Sequence, residues 1–290
     1  MKPVHAAVRW SGCVGVALAL IGCGAPAAPT ATPLPTLYPT PTTSLLPTLA
    51  PTVNPLRDEG AFTGTITLEN GQLVDIGSHY IVDFPPGYDP SLGLKYPLLV
   101  HLHGAGGTGI SFKNFKANIR RQPVVADNSG RFPFIILFPQ LPGSGLTWKM
   151  LADTLDQLVD KVAKKYPVDT RRIYLTGYSD GGYGALAFGA KYPGRFAALA
   201  EVSGYYDANL SELCALKHTP VYIYHGKQDQ VIPIQAEQDV EKTLKGCGAD
   251  LTVTLLEGAD HFTIVDSVFN QPDLYTTLLS HTLPAPSASQ

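Results

Sequence analysis

The sequence is short of charge and of cysteine, and it has no apolar run long enough to cross a bilayer stably. Charged residues make up 16% of 290, the net charge is −3, and Lys and Arg nowhere form a cluster. Phosphate backbones therefore have little to bind, and no nucleic-acid partner is expected. Four cysteines are too few for a small disulfide-built scaffold. The apolar stretch at residues 14–21 is too short for a transmembrane helix. Charge is missing altogether from residues 24–56, where nine of the 25 prolines fall. Proline at that density excludes both helices and sheet ladders. The composition is 44% hydrophobic, so the remaining stretch of about 230 residues can bury a full core without metal or disulfide staples.

The N-terminal apolar stretch follows Lys2 and Arg9 and closes on Leu20-Ile21-Gly22-Cys23, which reads as a secretory signal. Those last four residues resemble the bacterial lipoprotein box, in which the cysteine becomes the lipidated first residue of the mature chain. The resemblance implies a signal peptide over 1–22, lipid on Cys23, and a protein exported and anchored to the cell membrane, at the surface or in the periplasm. Several acyl chains on one cysteine give durable anchoring where a single chain is marginal. Residues 23–56 are then a Pro/Thr-rich tether, extended and polyproline-like, with a reach of up to about 100 Å. Removing Lys2 and Arg9 leaves 19 bases against 24 acids, a net charge of −5. Cys13 leaves with the signal, so Cys214 and Cys247 remain as an even pair in an exported domain. A disulfide between them is expected, two buried thiols being the alternative.

Residues 57–284 carry the folding pattern. Short apolar runs at 63–68, 80–84, 97–103, 134–138, 173–177, 197–202, 220–224 and 251–256 predict eight strands. Between them, 151–166 places Leu151, Leu155, Leu158, Val159 and Val162 on one stripe with Asp and Lys opposite, the period of an amphipathic helix. Further helices are expected over 181–191, 234–245 and 272–281. Apolar strands alternating with helices specify an α/β fold, a mostly parallel sheet covered on both faces whose ligands bind at the carboxyl ends of the strands. The first two strands are more polar and suggest an antiparallel edge.

The most informative segment is "RRIYLTGYSDGGYGALAFG". A β-branched strand runs into Gly177-Tyr178-Ser179-Asp180-Gly181 and then into a helix of small residues, the setting of a nucleophile elbow. Its glycines admit a turn too tight for side chains, and the turn lifts the Ser179 hydroxyl above the sheet. Such a serine needs a base and an acid to hold that base, in the chain order Ser, acid, His. His261 follows the last strand directly, whereas His281 comes after a further helix. Asp229, in "YHGKQDQVIP", lies in the loop after strand 220–224. Asp207 is the second choice, and Asp260 is too close to His261 in sequence to face it well. The Gly-rich "HGAGGTG" after strand 97–103 offers backbone amides for an oxyanion, with the Ala105 and Asp180 N–H groups as the two donors. That loop lacks the Lys-Ser/Thr ending of a phosphate loop. His101 and His103 have no third ligand nearby, so neither a metal nor a cofactor is expected.

With those residues in place, residues 88–261 resemble an α/β-hydrolase of the esterase and polyhydroxybutyrate-depolymerase-like group, similar to bacterial carboxylesterases, feruloyl-esterase-like proteins and "predicted peptidases". The matching pieces are "YPLLVHLHGAGG", "FPQLP" followed by Trp148, "DTRRIYLTGYSDGGYGALAFGAKYPGRFAA", "HGKQDQVIP" and "GADH". The family implies the α/β-hydrolase fold and a serine hydrolase with Ser179, Asp229 and His261 as its triad. The sequence departs at Asp180, where relatives often carry a neutral residue. An acid at a helix N-terminus is stabilised, but its charge lies close to a developing oxyanion. Only 17 residues, 203–219, follow strand 197–202, too few for a lid domain. An uncovered site admits bulky substrates, and Trp148, Tyr178 and Tyr205 are candidate walls for it. The expected function is a secreted, membrane-tethered serine hydrolase of carboxylic esters, short or aromatic in their acyl part, polymer-linked esters included. The alternatives are a serine peptidase of the prolyl-oligopeptidase type and a catalytically inactive surface binding lipoprotein.

Overall fold

The computed structural model describes residues 57–68, 70–119 and 133–285. The signal peptide, Cys23 and the tether lie outside the described residues. Eight strands form one sheet in the order β1-β2-β4-β3-β5-β6-β7-β8. They are β1 (Arg57–Thr67), β2 (Leu73–Asp83), β3 (Tyr96–Leu102), β4 (Ile135–Pro139), β5 (Val168–Tyr178), β6 (Ala198–Val202), β7 (Val221–Gly226) and β8 (Leu251–Leu256). Among the described residues the α-helices are α1 (Phe112–Ile119), α2 (Ala152–Lys165), α3 (Asp180–Lys191), α4 (Ile234–Gly246), α5 (Thr263–Phe269) and α6 (Pro272–Leu279). Strands β1 and β2 form an antiparallel hairpin, and β2 runs antiparallel to β4. All other neighbours are parallel. This is the α/β-hydrolase fold, an eight-stranded and mostly parallel sheet with an antiparallel edge.

Burial explains the layers. Every residue of β3 and of β6 is buried, as parallel strands covered on both faces require. Alternate side chains enter opposite cores: Leu98, Val100 and Leu102 meet α2, α3 and α4, while Leu99 and Tyr174 meet α1, α5 and α6. On α2 the stripe Leu155, Leu158, Val159, Val162 is buried, each side chain contributing about 2 kcal/mol. Its outer face carries Asp156 and Asp160, both paired with Arg195.

The β1–β2 hairpin is longer than the sequence suggests, pairing without a break from Arg57↔Asp83 to Thr67↔Leu73. One of its faces is in solvent and carries Thr63, Thr65, Thr67, Asp75 and Gly77, which dilutes the apolar signal by which strands are found. An Arg57–Asp83 ion pair closes its far end. The β6–β7 crossover holds a single 3-10 helix, Leu210–His218. A Cys214–Cys247 disulfide, with Cα atoms 5.3 Å apart, fastens that helix to the C-terminus of α4.

The chain leaves β3 toward β4 on one side and returns to β5 on the other. Such a reversal opens a crevice at the carboxyl edge of the sheet. The loops after β3 and β5 flank it, and those after β7 and β8 approach from the same edge.

Candidate active site

Ser179 sits between the end of β5 and the start of α3 with φ of 55° and ψ of −121°, a conformation disfavoured for any residue with a Cβ and held here by its surroundings. A Cβ at Gly177 would strike the Gly181 carbonyl, and one at Gly181 would strike Leu102 of β3. Glycine at both positions is therefore what lets strand, turn and helix approach so closely. The turn is fixed from both sides: Ser179 N–H donates to the Val202 carbonyl at 3.0 Å, and Tyr183 N–H donates to the Ser179 carbonyl at 3.1 Å.

His261 arrives in the loop after β8. Its Nε2 lies 3.0 Å from Ser179 Oγ, and its Nδ1 lies 2.8 Å from Asp229 Oδ2. Nδ1 thus carries the hydrogen given to the carboxylate, leaving the Nε2 lone pair for the serine hydroxyl. The other oxygen of Asp229 accepts the Val231 and Ile232 amides at 2.9 and 2.8 Å. Burial works to raise the Asp229 pKa, but the hydrogen bonds from His261 and the two amides overcome it and hold the group below the usual carboxylate range. Tyr178 supports His261 from below, its hydroxyl donating to the His261 carbonyl at 2.7 Å. Burial pushes the Tyr178 phenol up to about 12, so it remains a donor. Asp260 serves the backbone instead: its Oδ1 accepts the Phe262 and Thr263 amides at 3.0 and 2.8 Å, shaping the turn into α5. Of the other candidates, Asp207 does not reach His261, and His281 bonds the Tyr222 hydroxyl at 2.7 Å.

Ala105 begins a 3-10 turn after β3, and Asp180 is the first residue of α3. The first N–H groups of a helix have no acceptor within it, so both amides are available to an anion, and the dipole of α3 adds to their pull. The loop bearing Ala105 rests on His103, buried with both ring nitrogens satisfied. Nδ1 donates to the Gly104 carbonyl at 2.7 Å, and Nε2 accepts the Leu141 N–H at 3.1 Å. Burial drives this imidazole down to about 4, against the opposing pull of the Gly104 carbonyl. Gln140 completes the support, its side-chain amide donating to the Ile110 carbonyl at 2.7 Å.

Two of the three expected pocket walls stand elsewhere. Trp148 is 1% exposed; its indole N–H donates to the His103 carbonyl at 3.1 Å, and its ring packs on Gly184. It is core support for the loop that carries Ala105. Tyr205 stacks on Tyr183, and its hydroxyl donates to Asp180 Oδ1 at 3.2 Å. The extra carboxylate next to Ser179 is thereby engaged by a phenol, whose own pKa burial and the Asp180 charge push upward. Tyr178 does line the cavity, which has a volume of about 570 Å³ and contains Ser179, His261 and Ala105. Sequence reasoning missed its apolar wall of Phe115, Ile119, Val231, Phe262 and Val265. The i, i+3, i+7 spacing of Phe112, Phe115 and Ile119 was the available signal for α1.

A Phospholipase/Carboxylesterase family model matches residues 147–271, the part carrying Ser179, Asp229 and His261. A bifunctional acetylxylan esterase/xylanase of Neocallimastix patriciarum is 31% identical over 154 residues, 51% of this chain and 22% of that protein. Feruloyl esterase B of Neurospora crassa is 28% identical over 186 residues, 49% of this chain and 61% of that one. The chain thus spans 22% and 61% of the lengths of these two curated relatives. The crystal structure of a thermostable esterase superposes with a TM-score of 0.62 at 24% identity, covering 77% of this chain and 63% of that one. The chain has the α/β-hydrolase fold, and over residues 147–271 its sequence is similar to that of carboxylesterases.

Proposed function

We propose that this protein is a serine hydrolase of carboxylic esters, exported and tethered to the membrane through a lipidated Cys23. The observation that carries the chemistry is the unbroken chain of hydrogen bonds from Ser179 Oγ through His261 to Asp229, at 3.0 and 2.8 Å. Ser179 Oγ attacks the ester carbonyl while its proton passes to His261 Nε2, and the oxyanion is met by the Ala105 and Asp180 amides. The imidazolium returns that proton to the departing alcohol, leaving an acyl group on Ser179. Water, deprotonated by the same imidazole, then releases the acid and restores the serine.

The substrate class is short or aromatic acyl esters, including those displayed on polymers. Three observations support this: the β6–β7 crossover has room for one 3-10 helix and no lid, the cavity has one apolar wall beside the nucleophile, and two of the curated relatives are a bifunctional acetylxylan esterase/xylanase and a feruloyl esterase. A series of p-nitrophenyl esters from acetate to palmitate, run beside methyl ferulate and an aminoacyl-p-nitroanilide, tests the reading. Turnover of acetate and ferulate esters is expected. A maximum at long chains makes the protein a lipase, and faster cleavage of the anilide makes it a peptidase. For the anchor, Cys23→Ser is expected to move the protein from the membrane pellet to the soluble fraction; an unchanged pellet rejects lipidation at Cys23.

A further inference from the structure

Beneath the acid loop lies a polar cluster that the triad does not use. Glu201, in β6, and Glu237, in the first turn of α4, are 0% and 1% exposed. Their carboxyl groups lie within hydrogen-bonding reach of each other. Glu201 Oε1 also accepts the Gly204 N–H and rests against Gly182, in the first turn of the helix that Ser179 begins. Glu237 Oε2 lies 3.8 Å from Nδ1 of His225, itself fully buried. No other described residue offers a hydrogen-bond donor to Glu201 Oε2 or to either oxygen of Glu237.

Two desolvated carboxylates in contact, with no Lys or Arg among the described residues between them, cannot both ionise. His225 does not supply the missing charge. Its Nε2 lies 3.0 Å from the Ile232 carbonyl and so carries the ring hydrogen, leaving Nδ1 as a bare lone pair toward Glu237. Burial also lowers the pKa of His225 and keeps it neutral. The remaining charged and titratable groups nearby do not help: Asp229 and Glu241 are acids that push the pair further toward holding a proton, and His261 disfavours charge on His225. The cluster spans two parts of the site. At one end it touches Gly182, just past the elbow, and Gly204 in the loop after β6. At the other it meets His225, which is bonded to the Ile232 carbonyl in the same turn that gives its amides to Asp229.

We propose that Glu201 and Glu237 hold one proton between them and act as positioning residues, tying the loop that carries Asp229 to the nucleophile elbow. The catalytic consequence rests on the serine-hydrolase reading; the shared proton does not. Burial first, then the neighbouring acid, raises the pKa of Glu237, so the folded chain keeps a proton that the unfolded chain releases above the ordinary carboxylate range. The bound proton therefore stabilises the fold progressively less as pH rises.

The test is Glu237→Gln, whose amide keeps the shape and the donor but cannot titrate. In thermal unfolding from pH 6 to pH 10, the parent should lose about 3 to 5 °C per pH unit more than the variant, and the variant should be the more stable at the alkaline end. Parallel slopes would overturn the shared proton. For the positioning role, Glu237→Gln should keep kcat for p-nitrophenyl acetate at neutral pH within about twofold, while Glu237→Ala loses about tenfold in kcat with KM little changed. Equal damage in both variants, or an undiminished kcat in the alanine variant, would overturn that role. Should the alanine variant not fold, a neutral-pH kcat for the glutamine variant more than tenfold below the parent has the same force. A parent that turns over no ester sinks the serine-hydrolase reading and the positioning role with it, and the unfolding slopes still decide the proton.

Discussion

The loops after β3 and β7 bring the two halves of the site to Ser179, and each rests on a buried histidine held in a different way. Under the β3 loop, His103 has a partner for each ring nitrogen and stays neutral down to about pH 4 because it is buried. Under the β7 loop, His225 bonds Ile232 through one nitrogen and turns the other toward a pair of acids. The β3 loop thus rests on an imidazole that stays uncharged across the ordinary pH range. The acid side stands, if Glu201 and Glu237 share a proton as proposed, on a charge balance that alkali removes. Acid should loosen the first loop and base the second.

The largest expected effect removes what both halves serve. Ser179→Ala should lower ester hydrolysis by about 10⁴- to 10⁶-fold while leaving the unfolding temperature nearly unchanged, since only a hydroxyl is lost. A fluorophosphonate probe should label the parent and not the variant; labelling of both would place the nucleophile elsewhere. Next comes the acid half. In Asp229→Asn the amide oxygen keeps the Val231 and Ile232 N–H groups and the NH2 faces His261 Nδ1, which leaves the imidazole in the wrong tautomer and should cost roughly 10³- to 10⁴-fold in kcat. Asp207→Asn, on a side chain that does not reach His261, should stay within about twofold of the parent. The reverse ranking would reassign the acid.

The acid half was legible in the chain because its geometry requires particular residue types in a particular order. Only glycines fit at 177 and 181, and a carboxylate and an imidazole must follow Ser179 from successive strand ends. What surrounds those groups was not legible, because tertiary packing decides it. Trp148 and Tyr205 look like pocket walls in sequence, yet the path of the loop after β4 buries one and the carboxylate at Asp180 captures the other. Glu201 is a single acid in the apolar run "ALAEV", and Glu237 one of several on an amphipathic helix; neither pattern reveals that they meet. The hairpin β1–β2 looks short in sequence because half of it faces water.

The oxyanion half is tested by His103→Asn, which removes the Leu141 acceptor. Misplacing one oxyanion donor should lower kcat by about 10- to 100-fold with a smaller change in KM. The same substitution probes acid stability. Between pH 6.5 and about 4 the unfolded chain binds a proton that folded His103 does not, so the parent should lose up to about 3 kcal/mol as pH falls through that window. The variant should lack this loss. An acid limb of unfolding that is identical in the two proteins would mean that His103 is protonated in the fold, and the contrast between the two loops would fail.

The smallest expected effect falls on the rim, where the two halves meet substrate. Phe262 follows His261 directly, is 71% exposed and borders the cavity. Val231, 52% exposed, borders it from the loop that holds Asp229. A large apolar side chain left in water beside a nucleophile contributes little to folding, so Phe262→Ala should change stability by no more than about 0.5 kcal/mol. If the ring instead packs on the acyl group of an aromatic ester, its loss removes about 0.5 to 1.5 kcal/mol of stacking. That corresponds to a roughly 2- to 10-fold fall in kcat/KM for methyl ferulate. Acetate is too small to reach the ring, and p-nitrophenyl acetate turnover should be unchanged. Equal losses on both esters would mean that Phe262 acts through His261, making it part of the acid half and not a surface for the acyl group.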